Sequence, residues 1–286
     1  MYVIAGVTGH TGRVVAETIL AKGRPIRVVV RDENKGAPWK QRGAEVAVAN
    51  LDDEATFARA LSGAKGAYVL LPPDPITTDF FGSRAKMIDA IGRAAASAGL
   101  PHLVFLSSIG AHVPKGHGPI GAPYQAERSF EKLGIGTTFV RAAYFLENYG
   151  GVIPAAKKDG VLPSFLPANF THSVVTTTDI GRTAAQGLLD GPRGRRVIEL
   201  SGPADVTPAD IAVMLGQILG RSVNVVEAPL DAIVPTFMSF GMSQHMSEIY
   251  REMYAGFLAG GITWEGKGER SRGSIGVKEG LHAMIS

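Results

Sequence analysis

Three glycines at intervals of three, Gly6, Gly9 and Gly12, stand in the run GVTGHTG, directly after the apolar stretch YVIA and before an amphipathic one. The first permits a tight turn, the second lets backbone approach a phosphate, and the third lets a helix lie close on a strand. A helix starting there offers unpaired N–H groups and a positive dipole end to an anion. The G-x-x-G-x-x-G spacing departs from the dehydrogenase G-x-G-x-x-G, and a plain strand-to-helix turn of small residues would look the same. Its place at the head of an alternating strand and helix pattern predicts a dinucleotide cofactor. Further on, VVVRDENK carries Arg31, Asp32 and Lys35. An acid at this point binds ribose hydroxyls, whereas a guanidinium accommodates a 2′-phosphate. Arg31 with Lys35 predicts NADP(H) over NAD(H), and an inward-turned Asp32 would reverse the preference.

Other chemistry is thinner. There is no cysteine, so disulfides, thiolate catalysis and Cys-ligated metals are excluded. No histidine pair or acidic cluster has metal spacing, and no G-x-S-x-G elbow is present, which removes metalloenzyme and serine hydrolase readings. His112 and His172 are candidate proton donors, or structural histidines. Tyr144, Phe145, Tyr149, Phe165, Met238, Phe240 and Met242 suggest an adaptable aromatic and methionine-rich pocket, or ordinary core packing. The substrate pocket is expected from Ile109, His112, Tyr144, Asn148, Tyr149, His172, Met238 and Phe240.

These groups must be carried by regular elements. Apolar runs at 2–6, 26–31, 45–48, 66–71 and 102–107 read as strands buried on both faces. Helical stretches lie between them at 11–22, 54–61 and 79–98, and a further helix at 124–133 leads into a sixth strand at 136–141. This rhythm predicts an α/β fold, a Rossmann-like doubly wound parallel sheet with a smaller C-terminal α/β substrate lobe. Residues 1–150 form the expected nucleotide-binding domain and 151–286 the lobe, packed on the first and not folding independently. Within the lobe, a helix is expected to open at Asp179 as N-cap and to stop at Gly191. Thr207-Pro208 opens another. Strands follow at 196–201 and 223–227, and helices near 230–240 and 243–259. The last 25 residues promise only a short helix.

With 286 residues, 45% of them hydrophobic, the chain is long enough to bury a sizeable core without staples. The net charge of +3 is not a nucleic-acid signature. Residues 1–150 hold 17 Lys/Arg against 13 Asp/Glu, and the remainder 12 against 13, scattered singly and without interleaved aromatics. The opening MYVIAGVTGHTG does not read as a secretory signal, and no apolar run reaches membrane-spanning length. A cytoplasmic monomer or homodimer is expected, with a small aromatic or quinone-like partner and neither nucleic acid nor membrane.

The segments GVTGHTG, VVVRDENK, NLDD at 50–53, FLSSIGAH at 105–112, AERSFEKLGIGTTFVRAAYFLENY, VVTTTDIGRTA and VIELSGPADVTPADIA occur in this order. Together they resemble the NmrA-like branch of the atypical short-chain dehydrogenase/reductases, close to NADPH-dependent quinone and triphenylmethane reductases. The resemblance covers roughly residues 1–227; the region from Leu230 onward does not align and helps form the substrate pocket in that family. It implies that Thr8, Gly9, His10 and Thr11 line the pyrophosphate, that Arg31 and Lys35 meet the 2′-phosphate, and that Asp52 sits near the adenine. Leu70, Leu71 and Pro72 would pass under the adenosine. Ser107 and Ser108 would lie beside the nicotinamide, flanked by Ala143, Tyr144 and Phe145. Orthodox members of the wider superfamily pair a catalytic tyrosine with a lysine four residues later. Here Tyr124 is followed by Arg128, and Pro123 stands where several relatives, aligned on Glu127, carry lysine or histidine. Tyr124 is therefore a candidate acid or simply a packing residue at a helix start.

Two functions from different classes follow. One is an NADPH-dependent oxidoreductase passing hydride to a quinone, dye or similar conjugated acceptor, chiefly by positioning. The other is an NADP(H)-binding redox sensor without turnover. A nucleotide-sugar epimerase is a third, disfavoured by the missing tyrosine–lysine pair.

Overall fold

The computed structural model describes residues 1–286. Its first half alternates as the apolar runs require: β1 (Tyr2–Ala5), α1 (His10–Ala21), β2 (Ile26–Val30), α2 (Ala37–Gln41), β3 (Glu45–Val48), α3 (Glu54–Leu61), β4 (Gly66–Val69), α4 (Phe80–Ser97), β5 (His102–Ser108), α5 (Gly121–Phe130) and β6 (Gly136–Ala142). The second half adds β7 (Tyr144–Phe145), α6 (Ile153–Asp159), β8 (Val161–Ser164), β9 (His172–Val175), α7 (Thr177–Asp190) and β10 (Arg195–Ser201). After these come β11 (Asp205–Val206), α8 (Pro208–Leu219), β12 (Asn224–Glu227), α9 (Ile233–Ser239), α10 (Gln244–Leu258), β13 (Glu269–Arg272) and α11 (Val277–Ile285).

Eight strands form one parallel sheet in the order β13-β10-β6-β5-β4-β1-β2-β3. Alternate residues feed two cores. Val104, Val140 and Ile198 point to the face covered by α1 and α7. Leu103, Phe105, Phe139 and Val197 point to the face covered by α3, α4 and α5. Burial on both faces is why the strands read as unbroken apolar runs. The chain lays down β1, β2 and β3 toward one edge, then returns past β1 to place β4, β5 and β6 on its other side. Strand order thus reverses between β1 and β4, and an open α/β sheet has its ligand crevice outside the C-terminal ends at such a reversal.

The large sheet does not stop at residue 150. Strands β10 and β13 and the covering helix α7 come from the stretch expected to form the lobe. Strands β7, β8, β9, β11 and β12 form two small sheets, β11-β9-β7 and β12-β8, which share with α6, α8 and α11 a separate core that includes Leu162, Val174, Ile211 and Leu281, while α10 packs on two smaller clusters. Strand β13 is a feature the sequence does not announce. Its residues, ERSR, carry no apolar alternation; they pair because β10 presents a free edge, reinforced by two hydrogen bonds from Arg196 to Glu269 at 2.9 and 2.8 Å. The helix expected to open at Asp179 begins earlier, at Thr177, with Thr176 as its cap and Gly191 closing it. Asp179 is its third residue, and its buried carboxylate accepts the Ile275 N–H at 3.0 Å, a long-range partner invisible in the local sequence. No helix is long and apolar enough to cross a membrane.

Candidate functional site

The glycine turn joins β1 to α1 at the reversal. Gly6 has φ +71°, where a side chain would be strained, and a Cβ there would fall 2.5 Å from Leu70 Cδ2 at the end of β4. At Gly12 a Cβ would run into the Gly6 carbonyl oxygen and stand 2.7 Å from that of Ala5, so helix and strand can approach only with glycine present. Gly9 is the N-cap of α1, and neither a capping side chain nor a first-turn acid accompanies it. Helices α3, α4, α7, α8 and α10 are each capped by a side chain, from Asp53, Asp79, Thr176, Thr207 and Ser243. The leading N–H groups of α1 are thus left to an outside acceptor, beside the exposed Thr8, Gly9 and His10. A pyrophosphate fits this cradle. The Thr11 hydroxyl accepts the Tyr68 O–H at 2.9 Å and keeps its own O–H as a donor beside the backbone N–H.

Past β2, Arg31 and Lys35 are exposed, and no carboxylate lies within ion-pair distance of either. Asp32 is occupied: its carboxylate accepts the Asn34 N–H at 3.0 Å and caps the short 3-10 turn Glu33–Gly36. Asp52 is exposed next to Asp53, the cap of α3. Leu70, Leu71 and Pro72 lie half-buried just beyond β4, with Leu70 against Gly6.

At the other end of the crevice lies a charged network. Ser107, Arg141 and Glu199 are register partners on β5, β6 and β10, so their side chains leave the same face of the sheet. Arg141 donates to Glu127 on α5 from Nε at 2.9 Å and from Nη2 at 2.6 Å, and from Nη1 to Glu265 at 2.6 Å. Ser107 Oγ also donates to Glu127, at 2.5 Å. Burial works against the Arg141 charge, but the hydrogen bonds to Glu127 and Glu265 prevail and raise its pKa. The Arg141 hydrogen bond likewise holds the Glu265 carboxyl below the usual carboxylate range. Sequence reasoning uses Glu127 only as a landmark and misses Arg141 and Glu265. The available signal was an arginine inside the apolar run TTFVRAA. Ser107 is thereby committed to Glu127, and the half-buried Ser108 donates to the Ile109 carbonyl oxygen at 2.9 Å. Ala143 is buried, its N–H donating to the Leu200 carbonyl oxygen at 2.9 Å.

Tyr124 is half-buried near the start of α5. The Arg128 guanidinium lies over its ring, 5.3 Å from the centroid, and pairs with Glu131 at 3.5 Å. The cation rests on the ring face, and no hydrogen bond joins it to the phenol. His112 is half-buried near the Arg141 network with Nδ1 unpartnered; burial first, then the Arg141 charge, lower its pKa. His172 is buried on β9, with Nε2 3.0 Å from the Tyr149 hydroxyl and Nδ1 3.3 Å from the Phe170 carbonyl oxygen. A neutral ring protonated on Nδ1 satisfies both contacts, and burial depresses its pKa accordingly.

Around them stands an aromatic cluster. The Tyr144 ring meets Tyr149, His172 and Phe257 edge-on at 6.0, 5.7 and 6.3 Å. Phe165 packs on Phe237 and Tyr254, and Phe237 on Tyr250, all at 5.5–5.7 Å. Ile109 packs into the same cluster, and the exposed Asn148 lies beside the Tyr144 phenol. The structure thus brings together Ile109, Tyr144, Tyr149, Phe165 and His172. It leaves Met238 and Phe240 on the surface, 45% and 79% exposed, because Phe237 is the residue α9 turns inward. Phe145 packs instead toward the core under α1 and α7, and Met242 against the small cluster of Phe80 and Met246. Helix α10 supplies what sequence reasoning overlooked: Tyr250, Tyr254 and Phe257 at helical spacing on one face.

A fully parallel sheet with a glycine turn at its strand-order reversal is a Rossmann-like α/β architecture. The chain belongs to the NmrA-like family, which it matches over residues 2–265, beyond the extent of the sequence resemblance. It is 26% identical over 257 residues to the NAD(P)H azoreductase of Xenophilus azovorans, spanning 89% of this chain and 86% of that one. It is also 26% identical over 272 residues to quinone oxidoreductase 2 of Escherichia coli, spanning 92% and 90%. The solved NADPH complex of the latter shares the fold with a TM-score of 0.83 at 23% identity, covering all of both chains. The NADP(H) complex of Citrobacter sp. triphenylmethane reductase does so with a TM-score of 0.80 at 19% identity, over 99% of this chain and 100% of that one.

Proposed function

We propose that the protein is an NADPH-dependent reductase that passes hydride to a quinone, a dye or a similar conjugated aromatic acceptor, acting as a monomer or homodimer in the cytoplasm. One observation carries this reading: the crevice at the C-terminal edge of the sheet has an uncapped phosphate cradle at one end and a partly open wall of aromatic rings at the other. The N–H groups at the start of α1 hold the pyrophosphate, Arg31 and Lys35 meet the 2′-phosphate, and the chain past β4 passes under the adenosine. Two exposed cations at the end of β2, Arg31 and Lys35, support NADPH over NADH. Bound there, the cofactor supplies the hydride. The rings of the cluster hold a flat acceptor against it and keep water out, a positioning effect. The names of the relatives, an azoreductase and a quinone oxidoreductase, agree with acceptors of this kind.

Purified protein is expected to oxidise NADPH in the presence of quinones, azo dyes or cationic triphenylmethane dyes, followed by nicotinamide absorbance. Cofactor binding without turnover across the panel would favour the sensor, the reading to which the stacked Tyr124–Arg128 pair lends support. Arg31→Glu should weaken NADPH binding by about ten- to a hundredfold and NADH binding little, as the loss of a charged hydrogen bond predicts. Equal losses for both cofactors would show that Arg31 does not read the 2′-phosphate.

A further inference from the structure

Three tyrosines pack on the aromatic cluster: Tyr144, just past β6, and Tyr250 and Tyr254 on α10. A single hydrogen bond connects them, from one phenol oxygen to the other between Tyr144 and Tyr254, at 3.4 Å. Both residues are half-buried, and two hydroxyls sharing one bond leave one O–H without a protein acceptor, free for the oxygen of a ligand. Burial raises the pKa of both phenols, so both keep their protons at neutral pH and can act only as donors toward an incoming oxygen. The rings of Phe165 and Phe237 lie 5.5 and 6.4 Å from that of Tyr254. The nearby Tyr149 and His172 are already bonded to each other. In such apolar surroundings a donor aimed at developing negative charge is worth more than in water. Tyr144 stands where the sheet opens its ligand crevice, beyond the C-terminal end of a strand.

We propose that the Tyr144–Tyr254 phenol pair is the hydrogen-bond and proton donor to a carbonyl oxygen of the acceptor, which makes quinones and conjugated ketones the class this crevice is built to reduce. The proposal rests on the reductase reading above. A quinone takes the hydride from the reduced cofactor onto one carbonyl oxygen, the new O–H bond replacing the C–H bond that breaks; the ring becomes aromatic and the displaced electron pair settles on the other oxygen as a hydroquinone anion. The Tyr254 O–H bond then breaks as the new O–H bond forms on that oxygen. The phenolate left behind regains a proton from water through Tyr144. A cationic triphenylmethane dye differs: hydride arrives at carbon, the cation becomes neutral, and no proton is required.

Tyr254→Phe keeps the ring and removes the hydroxyl. Its quinone-to-dye ratio of kcat/KM should fall by at least about a hundredfold, the lower end of what a positioned acid contributes. NADPH affinity, measured by nicotinamide fluorescence, reports that the variant is folded. Chromone, a flat redox-inert ketone, should bind the variant about tenfold more weakly by calorimetry, as loss of one hydrogen bond predicts. An unchanged ratio overturns the proposal, whether both acceptors slow together or neither does. If the wild type reduces neither acceptor, the reductase reading fails by itself. The chromone arm still decides the phenol pair, and equal chromone affinity in the two proteins would overturn it.

Discussion

Arg141 is one guanidinium facing three carboxylates: Glu127 and Glu265 by direct hydrogen bonds, and Glu199 as its register neighbour. Its side chain is 1% exposed and that of Glu127 fully buried. Removing the cation leaves a buried carboxylate without a counter-charge, which typically costs about 3–5 kcal/mol. Arg141→Met should lose about that much in urea unfolding, and adding Glu127→Gln should restore part of it by removing the stranded charge. A loss below about 1 kcal/mol would sink the view that this network ties β5, β6, α5 and the segment before β13 together. At this scale the sequence was legible where backbone constraint shows as residue type: Gly6 and Gly12 had to be glycine. It was silent about Glu265, whose partner lies 124 positions away.

Helix starts show how local and non-local partners differ. Thr207 forms a capping box with Asp210, each satisfying a backbone N–H of the other, and both residues are visible within four positions of sequence. Asp179 also lies in a first turn, but its carboxylate accepts the Ile275 N–H and the Ser274 hydroxyl from the segment leading to α11. Thr207→Ala should cost about 1 kcal/mol, the usual value of a lost cap. Asp179→Ala should cost about 1–3 kcal/mol, because it strands the half-buried Ile275 N–H, and should also raise hydrogen exchange across 273–285. If exchange there stays unchanged while α7 loosens, Asp179 serves only its own helix. Sequence pattern placed the helix and its Gly191 stop but assigned the wrong cap: the local cap is Thr176, three positions earlier, while the Asp179 carboxylate holds a distant element.

For the whole molecule, the joint between β5 and β6 carries a pH dependence. His102 is fully buried on β5, with Nε2 3.0 Å from Thr138 Oγ1 and Nδ1 unpartnered. Burial, then the nearby Arg196 charge, push its pKa down from 6.5 to about 4. The unfolded chain therefore binds a proton between these values that the folded chain refuses. The stability tied to His102 is full above pH 6.5 and is lost as the pH falls toward about 4. Between pH 7.5 and 4.5 the wild type should lose roughly 2–3 kcal/mol more than His102→Gln, measured by urea unfolding at each pH. Identical losses in the two proteins would remove His102 as the cause.

The sequence by itself determined the alternating order of strands and helices in the first half, the glycine turn, and the charge at the end of β2. Each of these is written in near neighbours: apolar runs for strands buried on both faces, glycines where a Cβ has no room, and a guanidinium directly after the apolar run of β2. Only the tertiary structure decided that ERSR becomes an edge strand, and that Phe237, Tyr250 and Tyr254, not Met238 and Phe240, face Tyr144 and its neighbours. An edge strand exists because another strand offers free backbone groups, and a pocket wall because several helices dock at particular rotations. Those are properties of packing between segments far apart in the chain, and no local window of residue types contains them.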